Sequence, residues 1–166
     1  GSIAVAQEMV TEGLVSFWTL DRDDTDGRTV RDVWGANHGT INGDPDSVAG
    51  KIDEAMSFDG EEEYIEIDHS VSLDLVEAIT IEFWFVLKGD SANNEWPRVV
   101  AKGQSTTANG AYGVWVKDTA GATDIGFRSV TLNPNDIRST AIPNYDDDAW
   151  HHVVVTYDGD TGQLFV

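Results

Sequence analysis

Short apolar or alternating runs, each closed by a cluster of Gly, Asp and Asn, fill nearly the whole chain, and helical periodicity is almost absent. The pattern predicts strands over Leu14–Leu20, Thr29–Val33, His38–Ile41, Ala55–Phe58, Tyr64–Asp68, Ile79–Leu87, Arg98–Ala101, Tyr112–Lys117, Asp124–Ser129, Trp150–Tyr157 and Gln163–Val166. Turn signals at Asn42-Gly43, Asp59-Gly60, Asn109-Gly110 and Asp158-Gly159 separate them. Alternation is clearest in Ile79–Leu87. Ile79, Ile81, Phe83, Phe85 and Leu87 share one face there, with Thr80, Glu82 and Trp84 on the other. Ser70–Val76 alone reads as a helical turn. Many short strands at this spacing predict an all-β, two-sheet antiparallel jelly-roll sandwich. Residues 1–12, opening on Gly1-Ser2 (which reads as a cloning remnant), are expected as a leader ahead of one domain over 13–166.

Composition narrows the partners. Of 166 residues, 40% are hydrophobic and 24% charged, which is a globular balance. Thirty Asp and Glu against ten Lys and Arg give a net charge of −20. Such a chain repels phosphate backbones and anionic headgroups, so neither nucleic-acid binding nor membrane insertion is expected. Cysteine is absent, which excludes disulfides, thiolate metal sites and cysteine nucleophiles. No apolar run approaches the ~20 residues of a membrane-spanning helix.

Several landmarks follow one another along the chain: Leu14–Asp21, Val30–Asp32, Asn37–Gly43, Gly50–Ile52, Ala55–Gly60, Tyr64–Ile67, Ile79–Phe85 and Trp150–Gly159. In this order the chain resembles the laminin-G-like branch of the concanavalin A-like lectin/glucanase superfamily. The resemblance implies a jelly roll. It also implies a non-catalytic binding module, extracellular or on a bacterial cell surface, that recognises a glycan or a cell-surface or matrix protein. In that family a segment like Tyr157–Val166 leads into further closing strands. The resemblance therefore implies a fragment, a domain completed by a complementary polypeptide strand, or a strand-exchanged copy.

Three kinds of chemistry are open to these residues. Asp21, Asp24 and Asp26 crowd one turn, and hard carboxylate oxygens suit Ca²⁺. Aligning Gly27 with the EF-hand glycine puts Arg22 and Val33 at ligand positions, which excludes that motif. The resemblance implies calcium near Phe58-Asp59-Gly60, adding Asp59 to the candidate ligands. For glycoside hydrolysis the resemblance implies a strand carrying glutamate, aspartate and a second glutamate; Glu66 and Asp68 match it, but Ser70 and Val71 stand where the acid/base glutamate would, so no enzyme is expected. Sugar binding draws on six Trp and four Tyr. Trp18, Trp84 and Trp150 fit packing positions. Trp96 sits in a polar loop beside Asn93 and Asn94, an expected platform for a pyranose, with Trp115 and Tyr145 as further candidates.

Overall fold

The computed structural model describes residues 10–75, 77–88, 97–103, 111–119, 122–129, 136–139, 142–143 and 148–166, with the side chains at 117–119, 122–123 and 142–143 excepted. These residues form strands β1 (Thr25–Asp26), β2 (Thr29–Val30), β3 (Gly39–Asn42), β4 (Asp46–Ala49), β5 (Glu54–Ser57), β6 (Tyr64–Ile67) and β7 (Ile79–Phe85). They continue with β8 (Arg98–Lys102), β9 (Tyr112–Thr119), β10 (Ala122–Ser129), β11 (Asp136–Arg138), β12 (Ile142–Pro143), β13 (His151–Tyr157) and β14 (Gly162–Phe165). Among the described residues helix is limited to short 3-10 turns at Arg22–Asp24 and Val71–Leu73, the second inside the predicted helical turn. Each pairing between strands is antiparallel. The fold is all-β, as the alternation predicts. The chain divides into two compact units, one ending at Leu73 and one of Asp74–Val166. Most of the expected leader, residues 1–9, lies outside the described residues, as does Asn109-Gly110.

In the first unit the sheet runs β1-β2-β3-β6, and β4 and β5 form a separate hairpin. Asn42-Gly43 and Asp59-Gly60 turn the chain as predicted, with Gly43 and Gly60 both at φ +79°, where a side chain would be strained. Leu14–Leu20 is not a strand. Its Phe17 amide goes instead to a buried aspartate. Asp32 Oδ1 accepts the backbone N–H groups of Phe17 (2.9 Å), Trp34 (3.1 Å) and Gly35 (2.9 Å), and Oδ2 accepts that of Asn37 (3.0 Å). The Asn37 side chain donates to Ser16 Oγ, and its backbone oxygen accepts the Trp18 indole N–H at 2.8 Å. The Asp32 amide donates to His38 Nδ1 at 3.0 Å. Ser16, Asp32 and His38, which fall in predicted strands, are thus with Asn37 the internal polar scaffold of this unit.

The second unit contains two sheets, β14-β13-β7 and β11-β10-β9-β8, with β12 beside β10. β7 buries alternate residues from Ile79 to Phe85, as predicted. Its inward face meets Val153, Val155 and Tyr157 of β13, and Val114, Val116, Ile125 and Phe127 of the other sheet, in one core. Burying each such side chain is worth about 1.5–3 kcal/mol, so this sandwich is the main apolar stabilisation of the unit. Asp158 closes the β13–β14 turn: its Oδ1 accepts the N–H groups of Thr161 (2.7 Å) and Asp160 (3.0 Å). Strands β1, β4, β11 and β12 have no counterpart among the predicted runs. They are short or polar, and their neighbours' ladders recruit them.

Candidate functional site

The alternation that builds the core also builds the outer face of the β8–β11 sheet. In β9, Val114 and Val116 turn inward, which leaves Gly113 and Trp115 outward; in β10, Ile125 and Phe127 turn inward, leaving Gly126 and Arg128 outward. Register then aligns Arg98 of β8, Trp115 of β9, Gly126 of β10 and Arg138 of β11 in one row across four strands. Gly126 lets the row close. A Cβ there would lie 2.1 Å from Trp115 Cζ2, so the indole lies across the strand only because that atom is missing.

Beyond the glycine, Arg128 and Arg138 each hold Cζ 5.9 Å from the centre of the Trp115 ring, within cation–π range. Asp136 binds both. Arg128 donates Nε–H to Oδ1 and Nη2–H to Oδ2 (2.9 Å), and Arg138 donates Nη2–H to Oδ2 (3.2 Å). The Arg128 hydrogen bonds hold the Asp136 carboxyl below the usual carboxylate range despite its partial burial, and Arg138 adds to the effect. The same pair raises the Arg128 guanidinium still further. A cleft of about 280 Å³ opens on this face, lined by Arg98, Lys102, Tyr112, Trp115, Arg128 and Arg138 among others. Lys102 is ion-paired with Asp74. Burial, followed by the nearby Asp74 charge, pushes the Tyr112 phenol up, so it keeps its proton at neutral pH.

The expected site residues fare differently. Trp96, Asn93, Asn94 and Tyr145 lie outside the described residues. Trp115 lines the cleft, but only 8% of it is exposed, because Gly126 lets the ring lie flat and two guanidiniums flank it. It braces the arginines rather than offering an open face. Asp21, Asp24, Asp26 and Asp59 are each engaged locally. Asp21 Oδ1 accepts the Glu54 N–H (2.9 Å), Asp24 Oδ2 accepts the Thr19 hydroxyl (2.8 Å), and Asp26 faces Arg31 at 3.8 Å. Asp59 Oδ1 accepts the N–H groups of Glu61 to Glu63, capping its own turn. Among the described residues no three His, Asp or Glu side chains converge to hold a metal ion. Glu66 lies exposed on β6 opposite Thr40, with Asp68 just beyond the strand.

The cleft arginines were not among the sequence candidates. Arg98 and Arg128 fall at strand ends, where a charge reads as solvated surface, and only the register places them beside Trp115 and Arg138. Trp84 was also misread. Expected as packing, it is 41% exposed on the outer face of β7, where it stacks on His152 (ring centres 4.6 Å apart, 20° between planes). His152 Nε2 lies 2.8 Å from Glu82 Oε1. The signal was in the alternation, which puts Trp84 on the polar face with Thr80 and Glu82.

Among the described residues no helix is long and apolar enough to cross a membrane. No curated protein and no solved structure matches the chain. A laminin-G family model, described as the concanavalin A-like lectin/glucanases superfamily, matches residues 59–166, from the turn before β6 through β14. That span takes in the whole sandwich of the second unit and its cleft, and the chain belongs to the laminin-G-like family of the concanavalin A-like superfamily.

Proposed function

We propose that this protein is a non-catalytic, extracellular carbohydrate-binding module whose ligand sits in the cleft on the outer face of the β8–β11 sheet. The observation that carries the reading is the row Arg98, Trp115, Gly126, Arg138, which gathers hydrogen-bond donors and an aromatic wall around one concavity. Sugar recognition needs that combination: forked N–H donors for hydroxyl oxygens and apolar surface for C–H edges. Its volume lies just below the ~300–1,000 Å³ of drug-sized pockets, which suits one sugar residue of a chain. The family's name spans lectins and glucanases. The non-catalytic choice rests on the cleft, whose charged lining among the described residues is cationic, with no carboxylate pair to flank a scissile bond.

A second reading is favoured by the exposed Trp84. It is 41% exposed on the β7–β13 sheet and stacks on His152, so a sugar bound there would meet an aromatic ring before hydrogen-bond donors. One screen tests both. Oligosaccharides of neutral and acidic type are titrated against the intact chain, Arg98→Ala and Trp84→Ala. Binding lost at least tenfold in Arg98→Ala, with unchanged melting temperature, is the expected result. Loss confined to Trp84→Ala would move the site to the other sheet, and binding of no sugar at all would overturn the carbohydrate reading.

A further inference from the structure

A second cleft, of about 250 Å³, lies wholly within the first unit, in residues that precede the span matched by the family model. Leu20, Ile41 of β3 and Met56 of β5 give it apolar walls, and its charged lining among the described residues is Arg22, Arg28 and Asp44. These residues come from separate elements. Arg28 follows Gly27 in the turn between β1 and β2, and Asp44 lies in the link from β3 to β4. Leu20 stands at φ +63°, a left-handed backbone that bulky residues rarely adopt and that clusters at ligand sites.

The three charges differ in what they already hold. Arg22 is balanced by Glu54, whose Oε1 lies 3.9 Å from Nη2 and whose Oε2 accepts the Arg22 backbone N–H at 2.9 Å. Arg28 is held in place and still unsaturated. Its Nη1 donates to two backbone carbonyls, Ile41 O at 3.1 Å and Gly43 O at 2.9 Å, which fixes the guanidinium plane. Its Nε and Nη2 donors have no partner among the described residues. Asp44 follows Gly43 directly, and its exposed carboxylate has neither a hydrogen bond nor an ion pair among the described residues. A fixed cation and an uncommitted anion thus line one small apolar cleft without pairing with each other.

We infer that this cleft binds a free α-amino acid with an apolar side chain, its carboxylate on the Nε and Nη2 donors of Arg28, its ammonium on Asp44 and its side chain against Leu20, Ile41 and Met56. A zwitterion satisfies both charges at once, whereas an anion or a cation alone would leave one of them desolvated and unpaired. The volume lies below the ~300–1,000 Å³ of drug-sized pockets, which suits so small a ligand. The lining shares no residue with the proposed carbohydrate cleft, so the two sites are independent.

The test is calorimetric titration of the intact chain with leucine, methionine and phenylalanine, with glycine and the N-acetyl and amide derivatives of the three as controls. At least one of the three should bind with a dissociation constant below about 1 mM. Its N-acetyl derivative lacks the ammonium, its amide lacks the carboxylate and glycine lacks the side chain, so each should bind at least tenfold more weakly. Asp44→Asn should lose at least fivefold in affinity for the free amino acid while melting within about a degree of the parent, because Asp44 is exposed and holds nothing in place. Arg28→Lys keeps the charge but gives up the fork, and should lose as much. If that variant melts lower, through its lost carbonyl contacts, Asp44→Asn still decides. Binding of no amino acid at concentrations up to about 10 mM overturns the assignment. So does a derivative or glycine bound as tightly as the free apolar amino acid, or binding untouched by Asp44→Asn.

Discussion

At Asp32 one carboxylate with 4% exposure accepts four backbone N–H groups from Phe17, Trp34, Gly35 and Asn37. Burial by itself would raise its pKa. The backbone donors, Gly35 foremost, followed by those of Phe17 and Asn37, outweigh it and hold the carboxyl below the ordinary aspartate value. Because the folded pKa is depressed, this stabilisation is fully present above the unfolded value of about 3.9 and is lost as pH falls through the lower folded value. Asp32→Ala strands several buried donors, each worth ~1–3 kcal/mol, and water can satisfy some of them. It should cost about 3 kcal/mol, read by urea denaturation at neutral pH. The parent should also lose stability below about pH 4 more steeply than the variant. Parallel pH profiles would mean that Asp32 has the same pKa folded and unfolded. The sequence holds this residue in plain view in Val30–Asp32, but nothing local says that its four donors come from both sides along the chain.

Among the elements, β7 and β10 mark the two limits of legibility. The alternation of Ile79–Phe85 is a property of one strand, and the structure follows it residue for residue. The Trp115–Gly126 contact belongs to two strands and depends on register, which no single run encodes. Gly126→Ala would put a methyl 2.1 Å from the indole, and the ring cannot swing away without breaking its packing on Arg128 and Arg138. We expect a loss of about 1–3 kcal/mol and a red shift in tryptophan emission as the ring is driven outward. A double-mutant cycle with Trp115→Ala should return most of that cost, because the clash needs both groups. An alanine as costly without the indole as with it would place the strain in the β10 backbone instead.

For the whole molecule the decisive quantity is the net charge of −20, set against a cleft whose charged lining among the described residues is cationic. An acidic oligosaccharide tested as ligand meets the repulsive field of the chain from beyond the Debye length, and only at close range the guanidiniums. Raising ionic strength from about 10 mM to about 150 mM shortens that length from ~30 Å to ~8 Å. Stopped-flow association should therefore quicken severalfold while dissociation also speeds up, since the contact pairs are weakened too. An association rate that falls with salt would mean that the positive field of the cleft reaches further than the acidic surface around it.

The sequence by itself determined the class of fold and most of the strands, because period-2 burial and Gly-containing turns are local and each is written in a few consecutive residues. It also carried the family, through motifs in order, and fixed the acidity that argues against phosphate-rich partners. Tertiary structure decided everything that depends on register and on competition for hydrogen bonds. It turned Leu14–Leu20 from a strand into the partner of Asp32, put Trp84 outside, and pressed Trp115 flat onto Gly126. It drew Arg98, Arg128 and Arg138, 40 residues apart in sequence at the widest, into one cleft. A guanidinium at a strand end looks the same in sequence whether it faces water or an indole; only the strand beside it settles which.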